Sequence, residues 1–215
     1  MAVKIKTTLQ ILGGLSTYLY PKELSILLRK VLDQWYTGRY RNDFASFGHG
    51  STICYKANML NDCNDISIGH STWLGKNIQL TAWKSFQDQD FSPFIKIGNF
   101  CCIRDNAHIT AINSVQIGDN VLTGTNVLIT DNTHGIVSKS TMNIRPALRL
   151  LYSKGAVIIE DNVWLGNNVC IVGNVSIGKG SIIGANSVVT SSIPPYSVAV
   201  GTPARVIKTF NEQRD

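Results

Sequence analysis

The sequence predicts an all-β solenoid built from six-residue repeats, and two spacings predict it. From residue 159 one aliphatic residue returns at every sixth position: Ile159, Leu165, Ile171, Ile177, Ile183 and Val189. A second, mostly small class follows four residues behind each of these: Val163, Val169, Val175, Ser181, Ser187 and Ile193. Neither the helical period of about 3.6 nor the strand period of 2 gives this spacing alone, so it indicates an internal repeat. Each unit fits one short strand plus a corner, with the aliphatic side chain pointing into a narrow shared core.

The same signature recurs upstream in three patches, which begin at Ile68-Gly69, Ile97-Gly98 and Ile117-Gly118. The three registers differ, so residues have been inserted or lost between the patches. Residues 131–157 show no repeat although the registers on either side agree, and we expect them to form a long loop thrown out from the solenoid. Gln87–Pro93 is a shorter insertion of the same kind. Long insertions of this type often carry function.

The first fifty residues are not repeats and are expected to form an N-terminal helical extension. Between Pro21 and Tyr36 apolar side chains recur at helical spacing, which predicts an amphipathic helix that opens with proline. These side chains are Leu24, Leu27, Leu28, Val31, Leu32 and Trp35. Two interpretations stay open. The helix packs on the end of the solenoid, or it lies on a membrane surface, where the basic segment Arg39-Tyr40-Arg41 would add to the binding. The repeat domain is then 51–208, with the extruded loop 131–157 inside it and a tail at 209–215.

Composition indicates one soluble domain of 215 residues. Charged residues make up only 16% of the chain, so a side of the prism is a candidate for burial against identical copies. No apolar stretch approaches 18 residues, and the N-terminus lacks a continuous apolar region of the secretory type. The five cysteines have no paired spacing and are expected to be reduced thiols. The cytoplasm is therefore the expected location.

The net charge of +6 raises the question of an anionic partner. Nucleic acid is not expected, because the basic residues are scattered and no nucleic-acid-binding motif accompanies them. The positive potential of the chain would also attract a phosphorylated cofactor, or a polyanionic, lipid-linked substrate at a membrane surface.

The hexads resemble the left-handed parallel β-helix of the hexapeptide-repeat acyltransferases, from roughly Ser51 to Lys208. The segments 160–166 and 193–208 are the most specific match, since their sequences resemble those of the acetyl-CoA half of these enzymes. The resemblance implies three hexads per triangular coil, roughly five coils, and left-handed winding. It also implies a homotrimer with acetyl-CoA in a groove between two prisms, and no metal.

Four histidines are available for chemistry, and His134 differs from the others because it lies where the repeat ends and the extruded loop begins. The segment Asp131–Gly135 resembles the D-x-x-H-G element of the galactoside, maltose and polysaccharide O-acetyltransferases, in which the histidine is the catalytic base. Imidazole is the natural base near neutral pH. His49 and His70 are expected to be structural or solvated. The histidine spacing gives no zinc triad of the type that a γ-class carbonic anhydrase needs.

Three further residues are candidate contacts to the acceptor. His108 occupies the position at which galactoside-type enzymes carry a polar acceptor-binding residue. Asn113 lies near the position of an acidic acceptor ligand, although this segment is two residues shorter here than in those relatives. Asp131 either orients the His134 imidazole or makes an Asx turn at the root of the loop.

The resemblance also marks the acetyl-CoA path. Positions along the pantetheine arm match Trp164, Asn167, Ala185 and Thr190, although Trp164 could equally be a packing residue. Gly166 and Gly184 are expected to let the slender arm lie against the backbone. Arg205 and Lys208 fall at basic positions near the nucleotide end, where fixed positive charge suits phosphates.

The sequence as a whole therefore predicts a homotrimeric, acetyl-CoA-dependent O-acetyltransferase. The expected acceptor is a sugar hydroxyl in a bacterial surface polysaccharide (capsule, O-antigen or exopolysaccharide) or in one of its precursors. Alternatives are a xenobiotic (antibiotic) acetyltransferase, an amino-sugar N-acyltransferase and a non-catalytic β-helix scaffold. Peripheral association with the inner face of the membrane stays open.

Overall fold

In the computed structural model, which describes residues 2–19, 21–136 and 138–210, the repeat region winds as a parallel β-helix. Within the described residues it has six complete coils of three short strands each, closed by a further strand and a final antiparallel strand. The first coil begins at Ser46, inside the segment that the sequence assigned to the N-terminal extension. The sequence estimate of roughly five coils was one too few, because this first coil lacks the clear repeat signature.

The helices are given first and the strands then follow in chain order. The helices are α1 (Ala2–Leu19), α2 (Lys22–Tyr40) and α3 (Lys139–Met142), with short 3₁₀ helices at Arg41–Asp43, Cys63–Asp65 and Pro146–Leu148. Coils one and two are β1 (Ser46–Phe47), β2 (Thr52–Ile53), β3 (Met59–Asn61), β4 (Ile66–Ile68), β5 (Trp73–Leu74) and β6 (Gln79–Ala82). A hairpin of β7 (Ser85–Phe86) and β8 (Gln89–Asp90) precedes coils three and four: β9 (Phe94–Ile97), β10 (Cys102–Ile103), β11 (His108–Ala111), β12 (Ser114–Ile117), β13 (Leu122–Thr123) and β14 (Leu128–Thr130). The extruded loop contributes β15 (Asn132–His134) and β16 (Leu151–Ser153). The remaining strands are β17 (Val157–Ile159), β18 (Trp164–Leu165), β19 (Cys170–Val172), β20 (Val175–Ile177), β21 (Ile182–Ile183), β22 (Val188–Val189), β23 (Ser197–Gly201) and β24 (Ala204–Thr209).

Equivalent strands of successive coils stack in parallel to form three sheets, which are the faces of the prism. Sheet 1 is β1-β4-β9-β12-β17-β20, sheet 2 is β2-β5-β10-β13-β18-β21-β23-β24, and sheet 3 is β3-β6-β11-β14-β19-β22. The hexad aliphatic residues face inward as predicted, and Ile159, Leu165 and Ile171 are each at most 1% exposed. Burying such side chains stabilises the fold by roughly 1.5–3 kcal/mol each. The interior is therefore one continuous aliphatic column.

One corner of the prism is held by a ladder of asparagine side chains, which the sequence did not reveal. The amide of Asn77 donates to Asn106 at 3.1 Å, Asn106 to Asn126 at 2.9 Å, Asn126 to Asn168 at 3.0 Å and Asn168 to Asn186 at 2.9 Å. All five residues have φ between 54° and 60°, a left-handed conformation that asparagine tolerates better than most residues. The ladder fixes the coil-to-coil register at this corner.

The extruded loop and the shorter insertion meet on one side of the prism. In the loop, β15 and β16 pair antiparallel, with His134 opposite Leu151. The shorter insertion is the antiparallel hairpin of β7 and β8. Gln89 bridges the two, because its side chain donates to the Leu151 carbonyl at 3.1 Å and accepts from the Leu151 N–H at 2.7 Å. A second bond runs from Gln87 to the Ala147 carbonyl at 3.2 Å.

Helix α2 closes the open end of the first coil, and it does so with its polar face. The Thr37 hydroxyl accepts the N–H of Ile53 at 2.9 Å, and an Asp33 carboxylate oxygen accepts that of Tyr55 at 2.7 Å. These interactions satisfy backbone donors in and just after β2 that would otherwise be unpaired at the sheet edge. Packing on the prism end, one of the two alternatives drawn from the sequence, is therefore observed, but the contact residues were not the predicted leucines, which are exposed. No helix among the described residues is long and apolar enough to span a membrane.

Candidate active site

A cavity of about 310 Å³ opens on the outer face of sheet 3, beneath the hairpin and the extruded loop. This volume lies at the lower end of the range of about 300–1,000 Å³ that is typical of small-molecule sites. The lining side chains come from three consecutive coils and both insertions: Met59, Gln79, Thr81, Trp83, Phe86, His108, Thr110, Asn132, His134 and Leu151. Two of the four histidines therefore meet in one place.

His108 reaches the cavity because it faces outward from β11. The residue after it, Ile109, faces the core, and strand stacking aligns His108 with Gln79 below and Leu128 above. Burial lowers the pKa of the His108 imidazole, since a desolvated site disfavours the charged form. At neutral pH His108 is thus a neutral imidazole, which offers one donor and one acceptor to a polar ligand.

His134 also lines the cavity, from the first strand of the extruded loop. Its side chain is exposed, and its ring meets the Phe86 ring edge to face, with the two ring centroids 5.5 Å apart. Among the described residues no side chain or backbone group forms a hydrogen bond to the imidazole. Packing on Phe86, together with the Gln89 bridge to the paired strand, is what positions the ring in this chain.

Among the described residues, the hydrogen bonds of the Asp131 carboxylate go to groups other than the His134 imidazole. Asp131 is 1% exposed, and its two carboxylate oxygens accept the N–H groups of Ile112 and Asn113 at 3.0 and 2.7 Å, with the Asn132 amide at 3.0 Å. Desolvation raises the pKa of this carboxyl group despite these bonds. The geometry therefore favours the loop-root alternative over imidazole orientation, and a contact between Asp131 and the acceptor stays a prediction.

The other acceptor candidate, Asn113, is exposed and lies outside the cavity lining. Sequence inspection missed Thr81, Trp83 and Phe86, which line the cavity. Thr81 is 1% exposed, and within the described part of the chain its hydroxyl has no hydrogen-bond partner. Buried hydroxyls usually have partners, so this oxygen is suited to receive a ligand group or a water. The signal was weak, because Thr81 follows the core residue Leu80 like any outward-facing strand position.

Most of the predicted cofactor residues are accessible along the upper coils. Trp164, Asn167, Ala185 and Thr190 are all exposed, and Trp164 projects from the outer face of sheet 2. The Asn167 side-chain oxygen also accepts the N–H of Thr125 at 2.9 Å, which links two coils. This second role is structural.

The two predicted cofactor-path glycines also have a structural reason, and their role along the acetyl-CoA arm stays a prediction. A Cβ built on Gly166 would lie 2.6 Å from the backbone nitrogen of Ala185, and one on Gly184 would lie 2.7 Å from a Val200 methyl group. The missing side chains therefore make room for the next coil, and close stacking explains both glycines without any cofactor.

Arg205 and Lys208 lie on β24, the antiparallel strand that ends the solenoid. Both are exposed, and the Lys208 ammonium nitrogen lies 4.0 Å from the centre of the Phe210 ring. The two positive charges thus remain available to an anion at the surface.

The remaining histidines and the cysteines give no second chemical centre. His49 and His70 stack with ring centroids 5.3 Å apart, and His70 packs against Phe100. No group of metal-binding side chains occurs among the described residues. Burial raises the pKa of Cys54 to about 12 and those of Cys63 and Cys101 to about 11, so these thiols are poor nucleophiles.

Comparison with known proteins agrees with this geometry. Residues 156–191 match the family model described as bacterial transferase hexapeptide (six repeats). The chain is 44% identical over 115 residues to a protein of Escherichia coli K12 provisionally named lipopolysaccharide biosynthesis O-acetyl transferase WbbJ, covering 52% of this chain and 58% of that protein. It is 39% identical over 147 residues to the galactoside O-acetyltransferase of the same organism, covering 68% of this chain and 65% of that protein. A solved galactoside acetyltransferase in complex with coenzyme A superimposes with a TM-score of 0.51 at 27% identity, covering 82% of this chain and 70% of that one. The chain thus spans less than two thirds of these two curated relatives.

Proposed function

The chain is a member of the hexapeptide-repeat transferases, and we propose that it transfers the acetyl group of acetyl-CoA to a sugar hydroxyl. The observation that carries the proposal is the cavity on sheet 3 that holds His134 and His108 together, in a chain similar to sugar O-acetyltransferases. The coenzyme A complex of the similar galactoside acetyltransferase supports acetyl-CoA as the donor. Left-handed winding of the β-helix follows from the same relationship.

His134 is the proposed general base. Its imidazole takes the proton from the acceptor hydroxyl, the oxygen attacks the thioester carbonyl carbon, and a backbone N–H stabilises the oxyanion. The carbon–sulfur bond then breaks, and the leaving thiolate takes the proton from the imidazolium. The products are an acetyl ester and free CoA. Direct transfer needs no acyl-cysteine, in agreement with the raised pKa values of the buried thiols.

A homotrimer is proposed because the outward positions paired along the parallel strands of two prism faces carry no Asp, Glu, Lys or Arg. The outward ladder of sheet 2 carries no charge: Thr52, Trp73, Cys102, Leu122, Trp164, Ile182 and Val198. The outward ladder of sheet 3 is similar: Met59, Gln79, His108, Leu128, Cys170 and Val188. Sheet 1 carries Lys96 outward and is suited to solvent. Packing sheet 2 of one copy near sheet 3 of the next would bring the acetyl-CoA path and the cavity into one cleft.

The proposed acceptor is a hydroxyl of a bacterial surface polysaccharide or of a precursor, and the proposed location is the cytoplasm. Support comes from the relative named for lipopolysaccharide biosynthesis. An antibiotic acetyltransferase would share the fold, the cofactor and the base. An amino-sugar N-acyltransferase would form an amide instead of an ester, so alkaline hydroxylamine separates the two products.

The test is release of CoA thiol from acetyl-CoA across a panel of galactosides, oligosaccharides, amino sugars and antibiotics. We expect turnover with at least one neutral sugar or glycan, well above hydrolysis of acetyl-CoA alone. Turnover confined to antibiotics or amino sugars would contradict the assignment. Binding of CoA with no turnover on any acceptor would favour a scaffold.

A first prediction concerns the cofactor end. We expect Arg205→Ala and Lys208→Ala each to raise the KM for acetyl-CoA about tenfold or more, because a well-formed charged contact contributes roughly 1.5–3 kcal/mol. The acceptor KM should change less. Desulfo-CoA and dephospho-CoA titrations show whether the lost contacts are to phosphates. An unchanged acetyl-CoA KM in the double variant would mean that the nucleotide binds elsewhere.

A second prediction concerns the bridge between hairpin and loop. Gln89→Ala removes both hydrogen bonds to Leu151, the strand partner of His134, so we expect kcat to fall about 10- to 100-fold with little change in the acetyl-CoA KM. Gln87→Ala is the matched control, since Gln87 makes one bond to the loop, at Ala147, which is not a strand partner of β15, and it should change kcat about twofold at most. Equal effects of the two changes would show that Gln89 has no special positioning role.

A further inference from the structure

The two N-terminal helices carry an apolar surface that the described part of the chain leaves uncovered. On α2 the exposed apolar stripe is Leu24, Leu27, Leu28, Val31, Leu32 and Trp35, and Ile26 is exposed on the other side of the helix. On α1 they are Ile5, Leu9, Ile11, Leu12, Leu15 and Tyr18. Clusters of large exposed apolar side chains on a protein surface often mark an interaction site.

The orientation of α2 makes this exposure a property of the fold. At about 3.6 residues per turn, the leucine–tryptophan stripe lies on the side opposite Asp33 and Thr37. Those two polar side chains hold the helix to the first coil through the N–H groups of Ile53 and Tyr55. The chain therefore anchors α2 by its polar face and directs its apolar face away from the prism. This reverses the arrangement of an ordinary surface helix.

The same segment holds nearly all of the net charge. Residues 1–41 contain seven Lys and Arg and two Asp and Glu, a net charge of +5 out of +6 for the whole chain. One of the two acidic residues, Asp33, is engaged with the backbone of Tyr55. Lys22, Arg29 and Lys30 are exposed around the polar side of α2. The apolar stripe thus lies within a strongly basic region.

A helix with a leucine and tryptophan face and a Lys/Arg-rich polar face has the composition of helices that lie in the plane of a membrane interface. Anionic headgroups attract such basic segments. Self-association of this face is disfavoured, because two copies would bring like charges of about +5 each together. We infer that α1 and α2 dock the protein on an anionic lipid surface, with the stripe of α2 in the boundary between headgroups and acyl chains. This inference does not depend on the transfer chemistry.

The test is co-sedimentation of the full-length protein with vesicles. Vesicles of phosphatidylcholine with roughly a third phosphatidylglycerol should pellet the protein, and vesicles of phosphatidylcholine alone should bind at least about tenfold less. Binding should weaken as salt rises from about 0.1 M to 1 M, because the Debye length shrinks from about 10 Å to 3 Å.

Two sets of changes separate the apolar and the electrostatic contributions. Leu27→Ser, Val31→Ser and Trp35→Ser, combined in one chain, replace side chains that are 56%, 56% and 61% exposed on successive turns. Arg29→Glu with Lys30→Glu inverts two charges. Each set should lower binding to the anionic vesicles at least about tenfold. Phe100→Ser is the matched control, since Phe100 is 58% exposed but lies on the prism, and it should bind like the unchanged protein.

The sedimentation profile and CoA-release activity in solution keep the result interpretable. Both should match the unchanged protein in all variants, because the altered side chains are exposed in the chain. Equal pelleting with neutral and anionic vesicles, or unchanged pelleting of the serine variant, would overturn the inference. A serine variant that changes the oligomeric state and pellets normally would do so as well, since the stripe would then be a contact between copies.

Discussion

Replacing His134 by alanine should lower kcat by at least about 10²-fold, because general-base catalysis by a positioned side chain contributes roughly 10²–10⁴-fold. His134→Asn should behave in the same way, since an amide keeps the polarity but cannot take the proton. The His134 side chain is exposed, so neither change creates a void in the core. Acetyl-CoA binding, measured by calorimetry, and the thermal unfolding midpoint should both stay close to those of the unchanged protein.

His108→Ala is the matched comparison, since His108 lines the same cavity. Its effect should fall on the acceptor KM more than on kcat, because a neutral imidazole at this position holds the sugar by hydrogen bonds. The ranking of the two histidines is the discriminating result. If His108→Ala abolishes turnover while both His134 variants keep near-native kcat, then His134 is not the base.

Leu122→Glu should break the trimer and remove activity with it. Leu122 lies in the middle of the uncharged outer ladder of sheet 2, beside Trp164. Burial of an unpaired carboxylate in an interface costs about 3–5 kcal/mol per copy, and a lone prism holds only part of the proposed site. Sedimentation velocity combined with CoA release over a range of protein concentrations measures both consequences.

Ile158→Glu provides the control for that change. Ile158 is 39% exposed on the outer face of sheet 1, close to the 41% of Leu122, but its register partner on the neighbouring strand aligns with Lys96. The variant should stay trimeric and active. A fully active Leu122→Glu trimer would remove sheet 2 from the interface, and a fully active monomer would contradict the need for a trimer.

Much of the core could be predicted because the aliphatic residue of each six-residue repeat points into the interior of the solenoid. Ile159, Leu165 and the other aliphatic positions of the repeat are all buried, and residues 131–157 leave the solenoid as a loop with its own strand pair. A six-residue period needs no tertiary information, since each unit repeats the same corner. The meeting of His108 and His134 depends on stacking of β11 and β14, which the repeat did not indicate, because the hexads of these two strands stand in different registers.

Contacts that depend on tertiary geometry were not predictable. The stripe of α2 suggested packing, but Asp33 and Thr37 offer hydrogen bonds to a strand edge that only the folded coil presents. Gly166 and Gly184 matched the cofactor path by position. In the structure, a side chain at either position would collide with the following coil. The hairpin placed Phe86 against His134 through an insertion whose sequence has no repeat to follow.

The most direct measurement of the central claim is the fate of a carbon-13 label from [1-¹³C]acetyl-CoA, followed by NMR with the acceptor that releases most CoA. We expect the label in an ester carbonyl on a sugar oxygen, formed by the unchanged protein and reduced at least about 10²-fold with His134→Ala. Label in an amide, label retained on the protein, or equal ester formation by His134→Ala would contradict an O-acetyltransferase that uses His134 as its base.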